Sequence, residues 1–224
     1  MSRWRSRRRE PMLLATMRSS RTFRSPHIWG AAWVAAAAAG MGLFHRSMHT
    51  PGEASTPPAR QAASQTPTVM FFAHPHCGCT TPMIDVLAAA ATSSQADFAV
   101  VFTGPAADNP AWRTAPNAQK AMQHGPLRIV HDPASRIAER HGARTSGHTV
   151  MYTASGDLAF AGGLSPARGM TGPSLGIDAL NAVLSGRSPN TASTPVFGCQ
   201  LTNAPARSAT DARAQPRAHE GVSR

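Results

Sequence analysis

The sequence predicts an α/β protein: a mixed central sheet with helices on both faces, preceded by one N-terminal apolar helix. Three observations carry this. Short β-branched and aromatic runs alternate with helix-period segments between residues 68 and 184. The last two strands are joined by a tight turn at Ser155-Gly156, which adds an antiparallel hairpin. A charge-free run, Ile28 to Phe44, stands apart from the rest behind an arginine cluster.

Taken in order, the elements begin with "TVMFFA" (68–73), a short buried strand. Thr80–Ser93 follows as a helix, with Met83, Val86, Leu87 and Ala90 on one face at three- and four-residue spacing. "DFAVVFTG" (97–104) is the second strand, and "GPAADNPAWRTAP" a loop. Asn117–His124 is a short helix and "LRIVHD" (127–132) the third strand. "DPASRIAERHG" is a short helix, with Asp132 as cap, Pro133 in the first turn and Gly142 just past the end. "TVMYTASGDLAFAGG" (149–163) is the hairpin. Ser174–Leu184 is the last helix, with Leu175, Ile177, Leu180 and Val183 or Leu184 turned inward.

The flanks differ in kind. Met1–His27 holds eight arginines against Glu10 alone, so it carries +7 of the net charge of +11. The remainder lacks the basic face of a nucleic-acid binder, and that class is set aside. Seventeen charge-free residues from Ile28 to Phe44 make a helix of about 26 Å, at the short end for a membrane span. Arginines on one side only follow the positive-inside pattern; they also suit a signal peptide, with Ala37-Ala38-Ala39 as a small-residue cleavage site. The expectation is a cell inner-membrane protein of one span with its domain in the periplasm, or a periplasmic protein if the segment is cleaved. Residues 45–67 read as a linker and 202–224 as a disordered tail, both rich in Pro, Ser, Thr and Ala. The domain then runs from 68 to 201.

Three cysteines carry the chemistry. Cys77 and Cys79 lie between the first strand and its helix, in "FFAHPHCGCT". A thiol at a helix mouth has its pKa lowered, and a thiolate is the attacking species in disulfide exchange. Cys77 is therefore the expected nucleophile and Cys79 the resolving thiol, with His76 close by as cation or proton acceptor. One intervening residue makes a strained ring and a more oxidising couple; Gly78 eases its closure. Cys199, in the apolar island "TPVFGCQL", is open to several roles: partner to Cys77 or Cys79, third redox thiol, metal ligand or packed thiol. No phosphate loop, dinucleotide fingerprint or G-x-S-x-G hydrolase motif is present.

The order of elements, with cysteines at the end of the first strand, resembles the thioredoxin fold. More closely, the chain is similar to the RedB-like group of thioredoxin-related bacterial proteins. Phe72–Thr80 matches F-A-H-P-x-C-P-C-T, Thr145–His148 matches T-S-G-H, and Val196–Cys199 matches V-F-G-C; Gly162-Gly163 and Arg168-Gly169 match its glycine pair and following S-R-G. The resemblance covers about residues 67 to 201. Here Gly78 replaces a proline, Thr80 stands where C-x-x-C has its second cysteine, and His148 stands at the cis-proline position. The resemblance implies a thioredoxin-like domain acting on thiol- or disulfide-containing protein substrates without a cofactor. It also implies that His148 shapes the site and that Arg168 lies on the same side. Two alternatives remain. One is a copper-binding metallochaperone similar to Sco-type proteins, with Cys77, Cys79 and His148 as ligands. The other is a degenerate binding module on the same scaffold.

Overall fold

The computed structural model describes residues 26–103 and 110–201. The chain divides into two units, Met1–Leu43 and Phe44–Arg224. Helix α1, Pro26–His49, covers the apolar run and continues past Phe44 through His45, Arg46 and His49. Among the described residues no helix is long and apolar enough to cross a membrane. The run is built largely of alanine and glycine, and the helix carries on beyond it into polar residues. The spanning part of the expectation therefore rests on the arginine pattern, which lies outside the described residues, as does the expected tail after Leu201.

The sheet has six strands in the order β3-β2-β1-β4-β5-β6. These are β1 Thr68–Ala73, β2 Asp97–Thr103, β3 Arg128–Asp132, β4 His148–Tyr152, β5 Leu158–Gly163 and β6 Ser193–Thr194. β1, β2 and β3 run parallel; β4 is antiparallel to both β1 and β5. This is the mixed α/β sheet that the sequence predicts, with β1 central and a closing hairpin. β6 was not expected. It is two residues long, and it pairs with Ala161 and Gly162 on the far edge.

Side-chain alternation along the strands makes two cores. Val69, Phe71, Phe98, Val100, Phe102, Met151 and Phe160 face one side, where α2 (Thr81–Thr92), α3 (Pro116–Met122) and α5 (Leu175–Leu184) cover them. Phe72, Val101, Val150 and Tyr152 face the other, against Ala138 of α4 (Arg136–Arg140), Ala143 and Leu201. Helices thus lie on both faces.

Three local readings change. On α2 the buried stripe is Met83, Ile84, Leu87, Ala88 and Ala91, with Val86 and Ala90 at its margin. On α5, Leu175 is 64% exposed, and it is Gly176 that packs against the end of β5 at Gly163; Leu180 and Val183 are buried. α4 begins at Arg136 after Ser135, which takes a left-handed φ of 55°. Asp132 still caps it, from the end of β3: its carboxylate accepts from the backbone N–H of Ile137 (3.2 Å) and Ala138 (2.9 Å).

The stretch expected as a linker lies along the domain. Ala54 bridges to Ala143 and Arg60 to Asp157, and the Tyr152 hydroxyl donates to the Pro58 carbonyl (3.1 Å).

Candidate functional site

β1 ends at Ala73, and the chain then turns through His74, Pro75 and His76 into Cys77. The Cys77 N–H donates to the His74 carbonyl (3.1 Å), and the Thr80 N–H to the Cys77 carbonyl (3.1 Å), so the cysteines sit on consecutive tight turns before α2. Pro82 in the first helical turn costs no hydrogen bond there.

One buried side chain fastens these turns. Asn117, at the start of α3, is fully buried. Its amide donates to the carbonyls of His74 (3.0 Å) and Cys77 (2.9 Å) and to the Thr80 hydroxyl (3.2 Å), and its carbonyl accepts from the Thr81 hydroxyl (2.6 Å). The sequence offered no signal for it: Asn117 lies forty residues from Cys77 in a polar helix. Ser146 was missed as well. It sits two residues before His148, and its hydroxyl accepts from the His74 N–H (2.9 Å) and lies 3.3 Å from the Thr80 hydroxyl.

Cys199 reaches the same place from the other end of the domain. Ser146 donates its N–H to the Cys199 carbonyl (2.7 Å), Leu201 donates to Arg144 (2.8 Å), and Thr145 bridges to Gln200. Gly198 packs on the Ser146 backbone so closely that a Cβ would collide with its carbonyl. Gly147, at a φ of +96°, leaves room for Thr80 and Phe197 on either side. Val196 is buried. The island is thus a fixed strap beside the cysteine turn. The three sulfurs lie within 4.8 Å of one another, and all three cysteines are free thiols. The Cys199 N–H donates to the Cys77 sulfur at 3.4 Å.

The thiols differ electrostatically. Burial pushes the Cys77 thiol up. Hydrogen bonds from the Cys199 thiol and N–H, and from the Ser146 and Thr80 hydroxyls, outweigh that and hold it below the ordinary value. Cys199 is pushed up to about 12, by burial, by its hydrogen bond to Cys77 and by the negative charge of Cys77 and Cys79; the Arg168 guanidinium opposes this. The arrangement favours Cys77 over Cys199 as the thiolate, with the Cys199 thiol placed to donate to it. Cys77 is only 1% exposed, beneath the strap; Cys79 is half-buried and Cys199 exposed.

Arg168 lies at this end of the domain, where it acts as a structural clamp as well as a charge. It donates to the carbonyls of Gly198, Ser47 (3.1 Å) and Thr50 (3.2 Å), so it ties the strap to the chain entering the domain. His76 is exposed; its backbone N–H donates to His74 Nδ1 (3.1 Å), and its ring lies 6.1 Å from that of His74. Burial, then the neighbouring His76, lowers the His74 pKa.

His148 does not join the cysteines. The first residue of β4, it points to the second core, where its ring meets Phe72 edge-on at 6.3 Å. Neither ring nitrogen has a hydrogen-bond partner. Burial, and then the charge of His141, drops its pKa to about 4. The Cys77–Cys79–His148 ligand set is therefore corrected: the side chain alternates to the face away from α2, and Cys199 takes the third position. Ser146, not residue 148, contacts the cysteine turn, and no peptide bond among the described residues is cis.

No protein-family model and no curated protein matches the sequence. Solved structures do. An uncharacterized conserved protein from Geobacillus kaustophilus aligns over 71% of this chain and 96% of its own, at 19% identity and a TM-score of 0.52. A hypothetical protein from Sinorhizobium meliloti aligns over 68% and 93%, at 19% and 0.52. A secreted Mycobacterium tuberculosis disulfide oxidoreductase, described as homologous to E. coli DsbE, overlaps 42% of this chain and 67% of its own, at 18% identity and a TM-score of 0.33. The first two share the fold.

Proposed function

We propose that this chain is an exported thiol–disulfide oxidoreductase of the RedB-like kind, acting on disulfide-containing proteins outside the cytoplasm. The observation that carries the reading is the Cys77 sulfur: it sits at the mouth of α2 as acceptor for Cys199, Ser146 and Thr80, with two further thiols inside 4.8 Å. Those donors favour the thiolate, and so do the unpaired N–H groups of the helix end.

The Cys77 thiolate attacks one sulfur of a substrate disulfide. A Cys77–substrate disulfide forms, and the second substrate sulfur leaves as a thiolate that takes up a proton. A resolving thiol then loses its proton and attacks the Cys77 sulfur, releasing the first substrate thiol. Two protein thiols are oxidised and one substrate disulfide is reduced to two thiols. Because Cys77 is buried, the attack proceeds through a conformer in which the Val196–Leu201 strap lifts from the turn.

Cys79 is the resolving thiol in this reading. A second reading gives that role to Cys199, favoured by its hydrogen bonds to Cys77 and by a disulfide free of the strain of a two-cysteine ring. The test is reduction of a protein disulfide by the full chain. Cys77→Ser should abolish it. Whichever of Cys79→Ser and Cys199→Ser accumulates a mixed disulfide on Cys77 identifies the resolver. Exchange at wild-type rate in Cys77→Ser would sink the proposal.

A further inference from the structure

The three sulfurs also have the composition and spacing of a soft-metal site. Three cysteines from two distant segments, 122 residues apart between Cys77 and Cys199, converge to within 4.8 Å of one another. Metal–thiolate bonds run about 2.3 Å, so three thiolates around one cation stand about 4 Å apart. Closing this cluster onto a cation therefore needs shifts of less than about an ångström in each sulfur. Nothing hard belongs to the set: among the described residues no carboxylate or imidazole joins the three cysteines.

We propose that the reduced protein binds one copper(I) ion through Cys77, Cys79 and Cys199, an activity beyond disulfide exchange. Thiolates select copper(I) and zinc among biological cations. A structural zinc site takes four protein ligands, whereas here three soft donors converge and, among the described residues, no fourth joins the cluster. The scaffold holds the donors in place. Asn117 pins the Cys77 carbonyl, and Gly169 lies against the Cys79 backbone. The Ser146–Cys199 backbone bond and the Arg168–Gly198 contact fix the strap. Arg168 supplies positive charge beside a cluster that would keep a net negative charge with a monovalent ion bound. Exposed Cys199 and half-buried Cys79 give the ion its way in.

The test uses the full chain, reduced with a phosphine under anaerobic conditions, and copper(I) presented with a coloured competing chelator. One equivalent per chain should be withheld from the chelator. Cys77→Ser, Cys79→Ser and Cys199→Ser should each weaken retention by roughly tenfold or more, and Cys199→His should restore part of it. Retention in Cys199→Ser within twofold of wild type would overturn the three-sulfur site. Copper-edge absorption on the wild-type complex should show three sulfur neighbours; two would overturn it without any variant. Zinc(II) held through desalting by a protein that surrenders copper(I) would overturn the choice of metal. Under phosphine no disulfide persists, so the outcome is independent of exchange activity: Cys77→Ser failing in turnover while copper still binds, or the reverse, separates the two readings.

Discussion

Replacing His148 by leucine should remove a distinct part of the acid sensitivity of this fold. A histidine in the unfolded chain titrates near 6.5, but in the folded domain His148 titrates at about 4. Burial is the main cause and the charge of His141 the second. Below pH 6.5 the unfolded chain binds a proton that the folded chain refuses until about pH 4. The stability tied to this group is therefore complete above 6.5 and lost as pH falls toward 4. Each pKa unit corresponds to about 1.4 kcal/mol, so the whole window holds about 3 kcal/mol, of which about 2.5 falls between pH 7.5 and 4.5. Burial also lowers the pKa values of His74 and His141, and Asp85 is lowered mainly by its hydrogen bond to Lys120, so wild type alone does not isolate the effect. The difference between wild type and His148→Leu does. Urea unfolding followed by circular dichroism at both pH values should show wild type losing about 2–3 kcal/mol more than the variant. At neutral pH the variant should be at least as stable, because two buried ring nitrogens without partners are removed. Parallel losses in the two proteins would refute the argument. So would a large loss at pH 7.5, which would mean that the imidazole has a partner worth keeping.

Asn117→Leu should take one donor from each of the Cys77 and His74 carbonyls, which keep their backbone partners, cost about 1–3 kcal/mol in chemical unfolding and broaden the reactivity of the cysteine turn. The pH midpoint of Cys77 alkylation, read by peptide mass mapping, should lie below that of an ordinary thiol, and Cys199→Ala should move it upward because a donor is lost. An unchanged midpoint would remove Cys199 as the group that holds the thiolate. Gly198→Ala should force the strap away from Ser146, so Cys77 should become more accessible to a neutral alkylating reagent at saturating pH while the domain loses about 1–3 kcal/mol. A reporter active only in the cytoplasm, fused after Phe44, should be silent if the domain is exported; strong activity would count against the proposed location.

The sequence determined the elements and their order, because those are set locally. Hydrophobic period and turn residues marked every strand from β1 to β5, and a thiol pair at a strand-to-helix turn marked the site. Pairing and facing were decided only by the tertiary structure. The pairing of β4 with β1 turned His148 into the second core, and the turn through Gly147, at a φ of +96°, left Ser146 at the cysteine turn. That choice depends on the register of Phe72 against His148, which no local pattern encodes. Asn117 became the fastener of the turn because α3 packs beside α2, a contact across forty residues. Cys199 reached Cys77 because Gly147 and Gly198 let two backbones come close enough for the Ser146–Cys199 hydrogen bond. The site's third sulfur was thus readable as a cysteine, but its place beside the other two is a product of close packing between segments far apart in the chain.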